Sequence, residues 1–136
     1  MKRSFLNVVS VDGKLFRIAE FGFFADTPSF SGEGIIFRQG DSYKRIDLVT
    51  GMIAPSEPPN GESDVSPDGN YTVRTEFASK VTNGCGYVHL ILRDNKKSTE
   101  TVLTRFMGCN ESVGAMPFSE DSKRIVFFGY PENELG

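Results

Sequence analysis

The residue types that carry most enzyme chemistry are sparse in this chain. It has one histidine, His89, and two cysteines, Cys85 and Cys109. Nucleophilic catalysis needs a base beside the nucleophile, and the sequence gives neither His89, within an apolar run, nor Cys85, between two glycines, such a neighbour. The paired acids Glu120 and Asp121 stand in a polar turn, where solvated carboxylates are expected. The sequence therefore predicts no catalytic residues.

Metal-binding and cofactor-binding motifs are also missing from the sequence. It contains no Cys-x-x-Cys, no histidine pair and no EF-hand spacing. The glycines at 32–34 and 84–86 are too short a pattern for a phosphate-binding loop that opens a helix. We therefore expect no metal and no cofactor. The candidates for a surface binding contact are Cys85, Tyr87 and His89.

Charge and cysteine content narrow the choice of partner and compartment. The 15 basic and 18 acidic residues give a net charge of −3, which argues against nucleic acid and anionic membranes as partners. No secretory leader and no apolar run of about 20 residues is recognisable. We therefore expect a cytoplasmic protein in which Cys85 and Cys109 are free thiols. The alternative, for an exported protein, is one disulfide between them.

The turn Ser66-Pro67-Asp68-Gly69 is the element around which the rest of the chain is organised. Pro67 presets φ at the first corner, Asp68 can hydrogen-bond its own backbone, and Gly69 adopts positive φ without steric cost. The residues that follow, 71–73, are Tyr-Thr-Val and favour a strand. The sequence therefore predicts a turn followed by a strand.

This unit recurs along the chain. An apolar residue and a serine precede a polar turn and a strand at Phe30-Ser31, Val65-Ser66 and Phe118-Ser119. The three serines lie 35 and 53 residues apart, near the roughly 40 to 50 residues of a propeller blade. The segment 10–14 is a further near copy. Its Asp-Gly pair also favours a hairpin, and the sequence leaves both interpretations open.

The remaining patterns predict an all-β protein. Twelve Phe, fourteen Gly and seven Pro are typical of short strands joined by turns, whereas helix-favouring runs are scarce. Strands are expected at 35–37, 43–49, 71–77, 87–93, 99–106 and 124–130. A Gly-rich turn is expected around 27–34, and loops are expected at 55–63, 78–86 and 107–112.

The Ser-Pro-Asp-Gly turn before a strand resembles the repeat of TolB-like, WD-related β-propellers, in which it joins the first two strands of a blade. The run Tyr43 to Gly51 is similar to the third strand of such blades, as is Tyr87 to Asp94, and 101–104 resembles an outer strand. The resemblance covers about residues 27 to 130. It implies antiparallel propeller-like blades.

The chain is short for such a fold. Propellers have about four to eight blades, and 136 residues hold about two and a half to three, in approximate units 1–54, 55–112 and 113–136 of one domain. We therefore expect an incomplete propeller that is a piece of a larger protein, or that self-associates as a homo-oligomer or joins a larger assembly. The alternative fold is a small β-sandwich or barrel.

Two functions follow from these expectations. The first is a non-enzymatic module that binds a protein partner or a small ligand through its loops, because loops on a rigid scaffold commonly carry function. The second is a piece or subunit of a propeller enzyme, such as a hydrolase or a polysaccharide lyase, whose active site is completed elsewhere. Lyases of that kind use several histidines and a metal, and the single His89 does not fit them.

Overall fold

The computed structural model describes residues 4–78, 85–108 and 116–131, with only the backbone at 130 and 131. The described residues form strands and turns and contain no helix, so none of them belongs to a helix that could span a membrane. The strands are β1 (Ser4–Ser10), β2 (Leu15–Phe21), β3 (Asp26–Ser31), β4 (Gly34–Gln39), β5 (Ser42–Asp47), β6 (Ile53–Ser56), β7 (Tyr71–Phe77), β8 (Gly86–Asp94), β9 (Thr99–Gly108), β10 (Arg124–Phe128) and β11 (Tyr130–Pro131).

These strands make three antiparallel sheets, which confirms the all-β, propeller-like fold class. The central sheet has the order β10-β1-β2, the second sheet β3-β4-β5-β6, and the third sheet β11-β9-β8-β7. Two short inner segments extend the sheets by isolated bridges. Phe118 bridges Ile125 beside β10, and Val65 bridges Thr72 beside β7.

The central sheet is buried on both faces. On one face, Leu6, Val8 and Val126 join Ile35 and Phe37 of the second sheet in one apolar cluster. The opposite face forms another cluster with the third sheet; its central-sheet members are Val9, Ile125 and Phe127, and its third-sheet members include Val73, Val88 and Leu90. A strand that is covered on both sides has a nearly continuous apolar sequence rather than an alternating one. This is why β1 reads Phe-Leu-Asn-Val-Val.

Phenylalanine fills the spaces between the sheets. The rings of Phe21 and Phe37 lie 4.9 Å apart between the central and second sheets, with Phe128 edge-on to Phe37 at 6.2 Å. On the other side, the rings of Phe106 and Phe127 lie 4.9 Å apart. Offset and edge-on ring pairs of this kind add to the stabilisation by burial. Many of the twelve phenylalanines of the sequence therefore serve to fill the gaps between sheets.

Strands from near the two ends of the described chain meet in the central sheet. Strand β1 pairs with β10 in the register Leu6 opposite Phe128 and Val8 opposite Val126. The units expected from the sequence placed these strands in separate blades, 1–54 and 113–136. In the structure β1 and β10 pair with each other, and the sheet that they form is covered on both faces.

A buried asparagine fixes this junction. Asn7 has no exposed surface, and its Nδ2 donates to the carbonyl oxygens of Phe5 at 3.0 Å and Gly129 at 2.7 Å. The Gly129 N–H donates back to the Phe5 carbonyl at 3.0 Å. Only glycine fits at 129, since a Cβ there would lie 2.1 Å from the Phe106 ring. The end of β10 is thereby held against both β1 and β9.

Two strands were missed by the sequence interpretation. Residues 26–31, expected to belong to a Gly-rich turn, form β3, whose ladder to β4 is interrupted between Asp26 and Ser29. This strand is hard to recognise from its sequence because Pro28 has no N–H to donate to a ladder. Its backbone is also irregular, since Thr27 has a positive φ of 48°. Pro55, expected in a loop, lies in β6, an edge strand on which a proline is tolerated.

Gly69 provides a test of the turn geometry. Its φ is 77°, while a Cβ there would meet nothing within 4 Å, so the only obstacle to a side chain is backbone strain. We expect Gly69→Val to lower the free energy of unfolding by about 1–3 kcal/mol. Urea denaturation measures this as a lower midpoint with an unchanged slope.

The control is Gly69→Asn, because asparagine tolerates positive φ, and it should lose much less stability. An unchanged midpoint in Gly69→Val would show that the turn does not require glycine.

Candidate ligand-binding site

The turn at Ser66 is a closed hydrogen-bonded unit, which we name a serine corner. The buried Ser66 hydroxyl donates to Oδ1 of Asp68 at 2.6 Å and accepts the Tyr71 N–H at 3.0 Å. The Gly69 N–H donates to the Ser66 carbonyl at 2.8 Å, and the Ser66 N–H to the Tyr71 carbonyl at 2.8 Å. The Ser66 side chain thus provides hydrogen bonds both within the turn and to Tyr71, the first residue of β7.

The same corner recurs at Ser119. Its hydroxyl donates to Asp121 and accepts the Arg124 N–H at 3.1 Å, and the Ser122 N–H donates to its carbonyl at 2.9 Å. Ser122 stands in the place of Gly69 and also has a positive φ, of 63°. The repeat expected from the sequence therefore has a physical counterpart at these two positions, although the second lacks both proline and glycine.

The serine at position 10 forms a third corner. Its hydroxyl donates to Asp12 and accepts the Lys14 N–H at 3.0 Å, and the Gly13 N–H donates to the Ser10 carbonyl at 2.9 Å. The same residues also join β1 to β2 as a hairpin. Both interpretations of this segment are therefore correct, since this corner is itself the hairpin turn.

The expected copy at Ser31 has different geometry. Ser31 pairs with Gly34 across a two-residue hairpin between β3 and β4, and its carbonyl accepts the Arg45 guanidinium at 2.8 Å. Glu33 replaces the aspartate that the other corners have two residues after the serine. The Ser31 unit therefore matches the repeat in position but not in hydrogen bonding.

The three corner aspartates share one electrostatic feature. In each case the hydrogen bond from the serine hydroxyl is the main cause that lowers the pKa of the carboxyl group, for Asp12, Asp68 and Asp121 alike. A hydrogen bond to the charged form favours that form. The corners are therefore stabilised by ionised aspartates.

The corners lie close together at one end of the sheets. The Asp68 N–H donates to the Ser122 hydroxyl at 3.0 Å, which ties the corner of the third sheet to that of the central sheet. A cavity of about 360 Å³, which we call the corner cavity, is lined by Asp12, Asp68 and Asp121 together with neighbouring residues. No three acidic, histidine or cysteine side chains among the described residues are arranged to hold a metal ion.

A larger cleft, of about 550 Å³, lies beside β3 and β4. We call it the loop cleft, because residues 57–61, which follow β6, form one of its walls. Its apolar surface comes from Phe30, Ile36, Pro58, Pro59, Pro67, Met116 and Phe118. Its polar side chains are Ser31, Ser56, Glu57, Asn60 and Glu120.

Hydrogen bonds hold the floor of the loop cleft in place. The Phe30 N–H donates to the Met116 carbonyl at 2.8 Å, and the Met116 N–H donates to the buried Ser29 hydroxyl at 2.8 Å. Phe118 is buried in the cluster between the central and third sheets. The cleft is therefore built on core residues of more than one sheet, with the proline-rich loop as its outer wall.

The residues proposed as surface contacts lie elsewhere. Tyr87 and His89 are half-buried on β8 of the third sheet, and neither lines the loop cleft or the corner cavity. The Arg105 guanidinium lies 4.1 Å from the centre of the Tyr87 ring, and Arg105 is also the partner of His89 in the ladder. The structure thus groups these two side chains with Arg105 on one face, away from the loop cleft and from the corner cavity.

Cys85 corrects one expectation. It is disulfide-bonded, so the prediction that it is a free thiol is wrong. The residue stands where β8 begins, and the ladder places Gly86 opposite Gly108 at the end of β9; this hairpin geometry brings distant parts of the sequence together. Cys109 lies outside the described residues, as do most of the loops expected at 78–86 and 107–112.

The sequence predicts one wall of the loop cleft but not the others. The three prolines at 55–59 indicated a loop there. Phe30, Ile36 and Met116 were not singled out, because nothing local shows that residues 30 and 116 become neighbours. Pro67 was identified as a turn residue, and its contribution to the cleft wall depends on the packing of separate sheets.

Comparison with known proteins supports the fold alone. The chain matches no protein-family model and no curated protein. A solved structure described as "putative TolB" from Agrobacterium tumefaciens is similar, with a TM-score of 0.63 and 9% sequence identity. The match covers 94% of this chain and 98% of that chain. The chain thus has a TolB-like β-fold.

The serine corners predict a specific pH dependence. Ser66→Ala removes the acceptor of the Tyr71 N–H, and we expect a loss of about 1–3 kcal/mol of stability at pH 7. The variant also removes the bond that lowers the pKa of Asp68. A carboxyl group with a lowered folded pKa stabilises above its unfolded pKa of about 4, and that stabilisation is lost as the pH falls.

Urea denaturation between pH 7 and pH 3 measures both effects. The stability difference between wild type and Ser66→Ala should narrow below about pH 4. Ser42→Ala is the control, because this exposed hydroxyl donates only to the Gln39 carbonyl and its loss should change stability by less than about 0.5 kcal/mol. A difference that stays constant over the whole pH range would contradict the role of Asp68.

Proposed function

We propose that this chain is a non-enzymatic binding module that holds a small organic ligand in the loop cleft. The observation that carries the proposal is the cleft itself. Its volume of about 550 Å³ falls within the roughly 300–1,000 Å³ of small-molecule sites. Its mixture of apolar walls with a few polar side chains is also typical of such sites.

The construction of the cleft supports binding. Phe30 and Phe118 are buried at 9% and 4% exposure, so each ring is held by the core while part of it faces the cleft. The lining also contains Pro58 and Pro59, and proline has little backbone freedom to lose when a ligand binds. A ligand would therefore meet a surface that is largely preformed.

The chemistry of the lining residues favours binding over catalysis. Apart from the two carboxylates, they offer only hydroxyl and amide groups. The Ser56 hydroxyl donates to the Glu57 carbonyl at 2.9 Å, so it is not directed at a base that would activate it. The propeller-enzyme alternative would require catalytic groups from outside this set.

The self-association of the chain and its cellular compartment are predictions. Val102 and Met107 on β9 of the third sheet are 49% and 37% exposed, which is consistent with the expected self-association. The disulfide at Cys85 favours an oxidising compartment over the cytoplasm expected from the sequence. Sedimentation of the purified chain as a monomer with no partner would contradict self-association.

Filling the loop cleft tests the proposal. Gly61 lies in the cleft wall, and a Cβ there would meet only the Met116 sulfur, at 3.9 Å. We expect Gly61→Phe to fold normally and to occupy the space meant for a ligand. The uncharged fluorescent probe N-phenyl-1-naphthylamine should bind the wild type, and the variant should bind it at least tenfold more weakly.

Gly22→Phe is the matched control, because Gly22 is exposed, lies outside the cleft and has open space around its Cβ position. It should bind the probe as the wild type does. Equal binding by wild type and Gly61→Phe, or no binding by the wild type, would contradict the proposal.

A further inference from the structure

The charged side chains that line the loop cleft are acidic, while the guanidinium groups of Arg45 and Arg124 lie behind the lining residues Ser31 and Phe30. Of the described residues that line the cleft, two are charged, Glu57 and Glu120, and both are acidic. They come from separate parts of the fold. Glu57 directly follows β6 of the second sheet, and Glu120 lies in the serine corner of the central sheet. The cleft therefore has a carboxylate from each of two sheets beside an apolar interior.

The polar groups of the cleft also favour a ligand that donates hydrogen bonds. Pro58, Pro59 and Pro67 offer carbonyl oxygens but no N–H group, and a carboxylate accepts hydrogen bonds without donating any. The side chains of Asn60, Ser31 and Ser56 can donate or accept a hydrogen bond. A ligand with positively charged N–H groups would therefore find many acceptors, whereas a carboxylate or phosphate would meet like charge.

The aromatic walls suit the same ligand. The ring of Phe30, which lines the cleft, already has the Arg124 guanidinium 5.8 Å from its centre. Arg124 is not a lining residue, and its positive charge also lies near Asp121, whose pKa it helps to lower. The faces of aromatic rings attract cations. In this structure the cation beside Phe30 is Arg124, so the cationic group of a ligand would be placed at Glu57 and Glu120, and the ring would contact the apolar body.

We infer that the ligand of the loop cleft is a small organic cation, in which an ammonium or guanidinium group is carried on an aromatic or aliphatic body. This inference rests on the proposed function and assigns the chemical class of its ligand. The body would pack between the Phe30 and Pro58 sides of the cleft. The cationic group would be attracted by the carboxylates of Glu57 and Glu120.

Three probes of similar shape and different charge test this inference: phenethylammonium, 2-phenylethanol and 3-phenylpropanoate. Backbone amide shifts of Gly32, Asn60 and Gly61 report their binding in an NMR titration. We expect phenethylammonium to bind about five- to tenfold more tightly than the alcohol, and the anion to bind most weakly. Added salt should reduce the preference, because exposed charges are screened.

The double variant Glu57→Gln, Glu120→Gln should remove this preference while the alcohol still binds. The control is Glu33→Gln, Asp41→Asn, which deletes two exposed carboxylates outside the cleft and changes the net charge equally. It should keep the preference. If both double variants behave alike, the attraction is a general effect of net charge and the inference fails.

The outcomes separate the inference from the proposed function. If the alcohol binds as tightly as phenethylammonium to the wild type, the cation inference fails and the loop cleft remains a ligand site. If none of the three probes shifts these amides, and N-phenyl-1-naphthylamine does not bind either, both fail.

Discussion

The structure depends on a sheet that is covered on both faces and built from both ends of the described chain. Leu6 and Val126 pack against the second sheet, while Val9 and Ile125 pack against the third. Each apolar side chain withdrawn from water contributes about 1.5–3 kcal/mol. Because β1 and β10 supply residues to both clusters, the other two sheets are held in place by a unit that forms only when these strands pair.

This arrangement also positions the candidate site. Strand β3 of the second sheet lies beside the inner segment that contains Met116 and Phe118, which leads into β10. The proline-rich loop lines the loop cleft at this junction. The serine corners secure the same end of the molecule, since Asp68 of one corner bonds Ser122 of another. The loop cleft and the fold thus rely on the same contacts between sheets.

Local features were predictable from the sequence. The turn at Ser66-Pro67-Asp68-Gly69, the strand 71–77 and the hairpin at Asp12-Gly13 all follow from the residue preferences of turns and strands. Strand β3 was missed, because Pro28 and the positive φ of Thr27 hide an edge strand within a turn-like sequence. In such cases the register of the neighbouring strand overrides local preference.

Long-range features were not predictable. Nothing near Val8 or Val126 in the sequence indicates that they face each other, although the nearly continuous apolar runs around both residues are typical of strands covered on two sides. The loop cleft was missed for the same reason, since Phe30 and Met116 meet only after the sheets pack. Whether Cys85 is a free thiol or disulfide-bonded was likewise open, because two cysteines in a sequence are compatible with both.

Native-state hydrogen exchange tests the central role of the β10-β1-β2 sheet most directly. If that sheet holds the others together, the amides of β1 and β10 should be the most protected in the chain and should exchange together, with the free energy of global unfolding. Amides of β4 and β8 should exchange no more slowly than these. Continued protection of β4 or β8 after β1 and β10 have exchanged would contradict the account.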